Sequence, residues 1–145
     1  MKKSQKTLMV IDDEETDRAL IREILQREGY DVAEADGYHS SLRLFAQIRD
    51  SVSLLIADVA LGDGNGCDAA LMMRNEKPDL RVLFTSFHVG SEVLRFYGLE
   101  VTDEHFLQKP FSASELSARV SKLLNSAAAF PAFCETPKPK ARTVG

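Results

Sequence analysis

The chain has 145 residues, a formal net charge of −4, and 44% hydrophobic and 28% charged residues. This length suits one domain with a single core, and the composition is ordinary for a soluble globular protein. The charge gives no support to direct nucleic-acid binding, and no apolar run approaches the length of a membrane span.

The cysteines and the amino terminus give information about the compartment. Cys67 and Cys134 lie far apart, and neither has metal-ligand neighbours at zinc spacing. The start MKKSQKTLMV is basic and then apolar, but Asp12 and Asp13 interrupt it too early for a signal peptide. We therefore predict a cytoplasmic chain with no membrane partner.

The first half of the chain alternates strands and helices. Thr7–Ile11 is a continuous apolar run, which is typical of a strand covered on both faces. The next segment has apolar residues at helical spacing, and Gly29 stands where a helix stop is expected. YDVAEA predicts a weaker second strand, and Ser40–Ile48 predicts a second amphipathic helix.

The alternation continues through the second half. SVSLLIAD predicts a third strand, Cys67–Asn75 a third helix, and LRVLFTS a fourth strand. Ser91–Tyr97 predicts a short helix, and HFLQ predicts a brief fifth strand. The last helix is Ser112–Leu124, where Ser112 and Glu115 have the spacing of a capping box.

This order of elements predicts the fold class and the domain organisation. Five alternations of strand and helix favour an α/β domain with a parallel sheet and helices on both faces. After Asn125 the sequence has three prolines, three basic residues and no periodicity. We therefore predict one domain over residues 1–125 and a flexible tail over residues 126–145.

Chemically active side chains stand at the carboxyl ends of the predicted strands. In an open α/β sheet, ligands collect at this edge, near the point where strand order reverses. The residues at these tips are Asp12 and Asp13, Asp58, Thr85 and Ser86, and Lys109. The fold thus brings three carboxylates, one or two hydroxyls and one ammonium to the same edge.

These groups together predict phosphoryl transfer. Three crowded carboxylates repel one another unless some take up protons or a cation lies among them. Magnesium suits a site with few carboxylates, because it keeps several waters and binds phosphate oxygens. Phosphoryl transfer needs mainly positioning and charge neutralisation. A carboxylate nucleophile, a metal ion, a hydroxyl donor and a lysine together are a complete set of groups for moving a phosphoryl group onto Asp58.

Four segments occur in the chain in this order: VIDDE, LLIAD, VLFTS and FLQKPF. Through these segments, the chain resembles the receiver domain of two-component response regulators over Thr7 to Leu124. The resemblance implies a flavodoxin-like three-layer sandwich, with a five-stranded parallel sheet of order 2-1-3-4-5 and five helices. It also implies phosphorelay signalling. A histidine kinase or a phosphotransfer protein would donate the phosphoryl group, Mg²⁺ would be required, and partner binding would then change.

Roles for individual residues follow from the resemblance. Asp58 is implied to be the phosphoacceptor. Asp13, helped by Asp12, is implied to hold Mg²⁺ together with Asp58 and the backbone carbonyl of Ala60.

The remaining implied roles concern the switch. Thr85 matches the residue whose hydroxyl bonds the phosphoryl group. Phe106 matches the switch aromatic residue, whose side-chain rotamer in the family changes together with the position of that hydroxyl. Lys109 matches the lysine that pairs with the phosphoryl group, and the Lys109–Pro110 bond is implied to be cis.

The chain departs from the family pattern at the turn and at the switch. Gly62 and Gly64 stand where the family often has proline, and we expect them to loosen the turn. Phe106 lacks the hydroxyl of the tyrosine found in some members. A register error of one residue would exchange Thr85 and Ser86, and we favour Thr85 because a small residue follows it.

Several signals have ordinary structural explanations. An Asp-Asp pair often begins a helix, Lys-Pro often marks a turn, and Phe106 and Phe111 suit a core. GDGNGCD misses EF-hand spacing, so Asp63 and Asp68 are expected to be solvated turn residues. Neither a triad nor a metal cluster is evident at His39, His88 or His105, and no GxxxxGK[ST] loop is present.

Other functions compete with a stand-alone receiver that catalyses only its own phosphorylation and dephosphorylation. The chain resembles receivers of hybrid histidine kinases, so a fragment of such a kinase is one alternative. An aspartyl-phosphate phosphatase would carry D-x-D after the first strand, where this chain has D-D-E. An interaction module with a vestigial pocket is the third alternative.

Overall fold

The computed structural model describes residues 5–87 and 103–126. The sheet strands, in chain order, are β1 (Thr7–Ile11), β2 (Asp31–Ala35), β3 (Val52–Asp58), β4 (Arg81–Ser86) and β5 (Phe106–Gln108). The α-helices in the described ranges are α1 (Glu15–Arg27), α2 (Tyr38–Ile48), α3 (Gly66–Glu76) and α4 (Ala113–Asn125).

All neighbouring strands of the main sheet are parallel, and their order is β2-β1-β3-β4-β5. The predicted α/β fold and its flavodoxin-like strand order are therefore confirmed. A separate two-stranded hairpin, Ala60–Leu61 with Gly64–Asn65, follows β3. The helix predicted over Ser91–Tyr97 lies outside the described residues, as does the predicted tail beyond residue 126.

The sheet has a hydrophobic core on each face, because its strands are buried on both sides. Alternate residues of β3 divide between the cores. Leu55 and Ala57 pack on the side of α2 and α3, whereas Leu54 and Ile56 pack on the side of α1 and α4. This alternation determines which side chains at the strand tips share a face.

Two helix termini carry the stop and capping residues that the sequence predicts. Gly29 follows α1 with φ 96°, a left-handed conformation that favours glycine, and its amide donates to Gln26 O at 3.0 Å. Ser112 and Glu115 form the predicted capping box at the start of α4. No helix in the described ranges is long and apolar enough to cross a membrane.

Candidate phosphoryl-transfer site

Three segments distant in sequence meet at the carboxyl edge of the sheet. Lys109 Nζ lies 2.8 Å from Asp12 Oδ2 and 3.0 Å from Asp58 Oδ2. The side chains of Lys109, Asp12 and Asp58 are only 4%, 1% and 11% exposed. The structure therefore brings together Asp12, which follows β1, Asp58, the last residue of β3, and Lys109, which follows β5.

The acidic residues at this edge form a potential metal site. Asp12, Asp13 and Asp58 each present a carboxylate oxygen, and these oxygens lie within 4.8 Å of one another. Asp12 and Asp58 are buried, but Asp13 is exposed, so the cluster reaches solvent through Asp13. A set of carboxylate oxygens with access to water fits a hard divalent cation such as Mg²⁺.

The electrostatics of the cluster also favour a cation. Burial raises the pKa of Asp58, and its hydrogen bond to Lys109 only partly opposes that effect. For Lys109, burial lowers the pKa, but the hydrogen bonds to Asp12 and Asp58 and the negative charges of these two residues together outweigh burial and raise the pKa above its ordinary value. The lysine therefore stays charged at neutral pH, and one ammonium faces several carboxylates.

Strand alternation separates the two candidate switch hydroxyls. Asp58 pairs with Thr85 across β3 and β4. Ile56 and Leu83 pack in the core beside α1 and α4, so Asp58 and Thr85, each two residues further on, face that side. Ser86 faces the other side. Register therefore favours Thr85 as the hydroxyl beside Asp58.

The Thr85 hydroxyl is also chemically available. Thr85 is 1% exposed, and in the part of the chain that the structure describes its Oγ1 has no hydrogen-bond partner. Buried hydroxyls normally have a partner, and an exception needs an explanation. An oxygen-rich ligand on Asp58 would supply one, which agrees with a phosphoryl group.

The other predicted residues surround this centre. Phe106 is buried in the core beside α2 and α3, and its carbonyl accepts a 2.6 Å hydrogen bond from Arg119 Nη1. The Lys109–Pro110 bond is cis, as the resemblance implies. The amide of Ala60 donates to Asp58 Oδ1 at 3.3 Å. The use of the Ala60 carbonyl as a ligand and the switching of Phe106 stay predictions.

Sequence reasoning missed three residues that contact the centre. Asp17 Oδ2 lies 3.1 Å from Lys109 Nζ, and the ring centroid of Phe87 lies 5.1 Å from the same nitrogen. Arg18 Nη1 donates to Asp12 O at 2.7 Å. One signal was available, because Asp17 lies in the first turn of the helix that follows the acidic pair after β1.

The turn after Asp58 also contains close contacts that the sequence did not predict. A Cβ on Gly66 would lie 2.2 Å from the carbonyl oxygen of Asp58, and one on Gly64 would lie 2.8 Å from Tyr38. These glycines therefore allow close packing, in addition to any loosening of the turn. Asp63 is exposed, as expected. Its carboxylate also caps α2, because it accepts hydrogen bonds from the backbone amides of Tyr38 (2.7 Å) and His39 (3.1 Å).

Comparison with known proteins identifies the family of this arrangement. The family model of the response regulator receiver domain matches residues 8–121. The chain is 33% identical over 117 residues to the transcriptional regulatory protein CpxR of Klebsiella pneumoniae, a match that covers 81% of this chain. It spans only 48% of the length of that relative.

Solved structures agree with the fold. The receiver domain of the hybrid histidine kinase CckA is 27% identical, with a TM-score of 0.68, and the match covers 82% of this chain and 99% of that one. The response regulator TrrA of Thermotoga maritima, solved in complex with Mg²⁺ and BeF, is 25% identical with the same TM-score and the same coverage of both chains.

Proposed function

The chain belongs to the family of response regulator receiver domains, and from that premise we propose that Asp58 accepts a phosphoryl group in a phosphorelay. The donor is a histidine kinase or a histidine phosphotransfer protein. One observation carries the proposal, namely that Asp58, Lys109 and the unpartnered hydroxyl of Thr85 lie at one buried edge.

The transfer is a displacement at phosphorus. A carboxylate oxygen of Asp58 forms a bond to phosphorus while the phosphorus–nitrogen bond of the donor phosphohistidine breaks, and its electron pair stays on the imidazole nitrogen. Asp12, Asp13 and Asp58 would hold Mg²⁺, which when bound neutralises charge on the phosphoryl oxygens. Lys109 stabilises the added negative charge, and Thr85 donates its hydroxyl hydrogen to a phosphoryl oxygen.

Phosphorylation then changes partner binding. The phosphoryl group has unequal free energy in the two states of the domain, because only one state supplies the hydrogen bond from Thr85. Phe106 repacks when Thr85 binds the phosphoryl group, and the neighbouring surface then binds a downstream protein.

The domain catalyses only its own phosphorylation and dephosphorylation, acts in the cytoplasm, and contacts neither nucleic acid nor membrane directly. The likeness to the CckA receiver supports a second candidate, in which the chain is the receiver of a hybrid kinase.

Phosphorylation by acetyl phosphate tests the proposal. With Mg²⁺ present, the wild-type chain is expected to gain the mass of one phosphoryl group and to shift on a phosphate-affinity gel. Asp58→Asn should abolish the gain, while Asp63→Asn, which changes an aspartate outside the cluster, should retain it. An unmodified wild type, or a modified Asp58→Asn variant, would refute the assignment.

A further inference from the structure

Lys109 has a third carboxylate partner that the phosphoryl-transfer scheme does not use. Asp17, in the first turn of α1, lies 3.1 Å from Lys109 Nζ, beside the shorter contacts to Asp12 and Asp58. A lysine ammonium carries three N–H donors. Three carboxylates are therefore available for three donors.

This occupancy conflicts with binding a phosphoryl group. For Lys109 to donate to a phosphoryl oxygen, one existing carboxylate contact must be given up or shared. Asp17 is the partner best placed to leave, because its contact is the longest of the three and its side chain is 30% exposed, against 1% for Asp12 and 11% for Asp58. Asp17 and Lys109 also line a small cavity of about 70 Å³, together with Phe87.

We propose that Asp17 competes with the phosphoryl group for Lys109 and so lowers the affinity of the pocket for a phosphoryl-like anion. Asp17 acts through Lys109, so it is a positioning residue and not a catalytic one. Its carboxylate also adds negative charge 3.1 Å from the ammonium that would pair with the anion, which raises the cost of binding that anion. The inference rests on the proposed function and adds a means of setting how readily Asp58 is phosphorylated.

Binding of beryllofluoride, a stable mimic of the phosphoryl group, tests the competition. With saturating Mg²⁺, Asp17→Asn is expected to bind beryllofluoride about three- to tenfold more tightly than the wild type. The rate of phosphorylation by acetyl phosphate should rise by a similar factor. Asp17→Glu, which keeps the charge, should stay close to the wild type.

Two controls separate competition from other effects. Glu15→Gln removes a negative charge from the same turn, and in the described part of the chain Glu15 forms no ion pair with Lys109. It should leave beryllofluoride affinity unchanged. Binding of Mg²⁺ alone should change less than twofold in Asp17→Asn, because Asp17 is not in the carboxylate cluster. A structural defect would weaken both ligands.

The outcomes distinguish this inference from the proposed function. If the wild type binds beryllofluoride and Asp17→Asn binds it equally or more weakly, the competition is refuted while the receiver function stands. An equal gain in Glu15→Gln would also refute it, because the effect would then be general charge. A wild type that binds no beryllofluoride with Mg²⁺ present would overturn the proposed function and this inference with it.

Discussion

Asp58 and Asp63 are five residues apart, yet the fold gives their carboxylates opposite environments. Asp58 is buried beside Asp12, and its pKa is raised above the ordinary value, chiefly by burial. Asp63 is exposed, and its pKa is lowered, chiefly by the backbone amides of Tyr38 and His39. The negative charge is costly at Asp58 and well stabilised at Asp63.

This difference separates a reactive group from a structural one. A buried carboxylate whose negative charge is poorly compensated is strongly stabilised when a cation binds beside it or when its charge is transferred to a ligand. A carboxylate that already accepts two amide hydrogen bonds at a helix start has little to gain from either. The sequence separates the two aspartates, because Asp58 ends a buried strand and Asp63 lies in a glycine-rich turn, but it does not reveal that Asp63 caps α2.

The largest expected effect disrupts the close approach of Gly66, three residues after Asp63, to the backbone of Asp58. Gly66→Ala places a Cβ 2.2 Å from the Asp58 carbonyl oxygen, where backbone must move. We expect a loss of about 3 kcal/mol or more in the free energy of unfolding, measured by urea denaturation. Gly62→Ala is the control, because its Cβ meets Asp13 at 3.4 Å, an ordinary contact. Equal losses in both variants would contradict this explanation.

Mg²⁺ should stabilise the folded protein by binding at the carboxylate cluster of Asp58, and Asp63 should not contribute to this stabilisation. At a Mg²⁺ concentration one hundred times the dissociation constant, the free energy of unfolding should rise by about 2.7 kcal/mol. Asp13→Asn removes one carboxylate of the cluster and should reduce this gain, while Asp63→Asn should keep it. Thermal unfolding with and without Mg²⁺ measures the gain. A full gain in Asp13→Asn would place the ion elsewhere.

Asp58→Asn should stabilise the metal-free protein at neutral pH. The folded-state pKa of Asp58 is raised, so its contribution to stability is present at low pH and is lost as pH rises through that pKa. Above it, the neutral amide avoids the cost of a buried charge, so we expect the free energy of unfolding of Asp58→Asn to exceed that of the wild type. Urea denaturation in chelator at neutral and acidic pH checks this sign. A gain that persists at low pH would show another cause.

Asp63→Ala should have the smallest effect, with the opposite pH dependence. The folded-state pKa of Asp63 is lowered, so its stabilisation is present above the ordinary aspartate pKa and is lost as pH falls through the folded-state value. We expect the midpoint of thermal unfolding to fall by a few degrees at neutral pH and by less in acid. Asp68→Ala, at another exposed aspartate, is the comparison variant. A pH-independent loss at Asp63 would argue against capping.

Most of the fold follows from local patterns in the sequence. TLMVI and the LLIA stretch of SVSLLIAD are short apolar runs that fit a strand buried on both faces, and both form central strands. Ser112 and Glu115 predict a capping box from four residues of sequence, and the structure contains it. Such features depend on neighbours along the chain, so no tertiary information is needed to recognise them.

The site divides into a part that the sequence determines and a part that it does not. Asp13, Asp58 and Lys109 could be predicted to converge, because parallel strands deliver their carboxyl ends to one edge whatever the loops between them do. The choice of Thr85 over Ser86 required the strand register, and the contact between Asp17 and Lys109 joins residues 92 positions apart. The capping of α2 by Asp63 likewise depends on how a turn packs against a helix. Element order is encoded locally, whereas partners, burial and pKa depend on distances that only the folded chain defines.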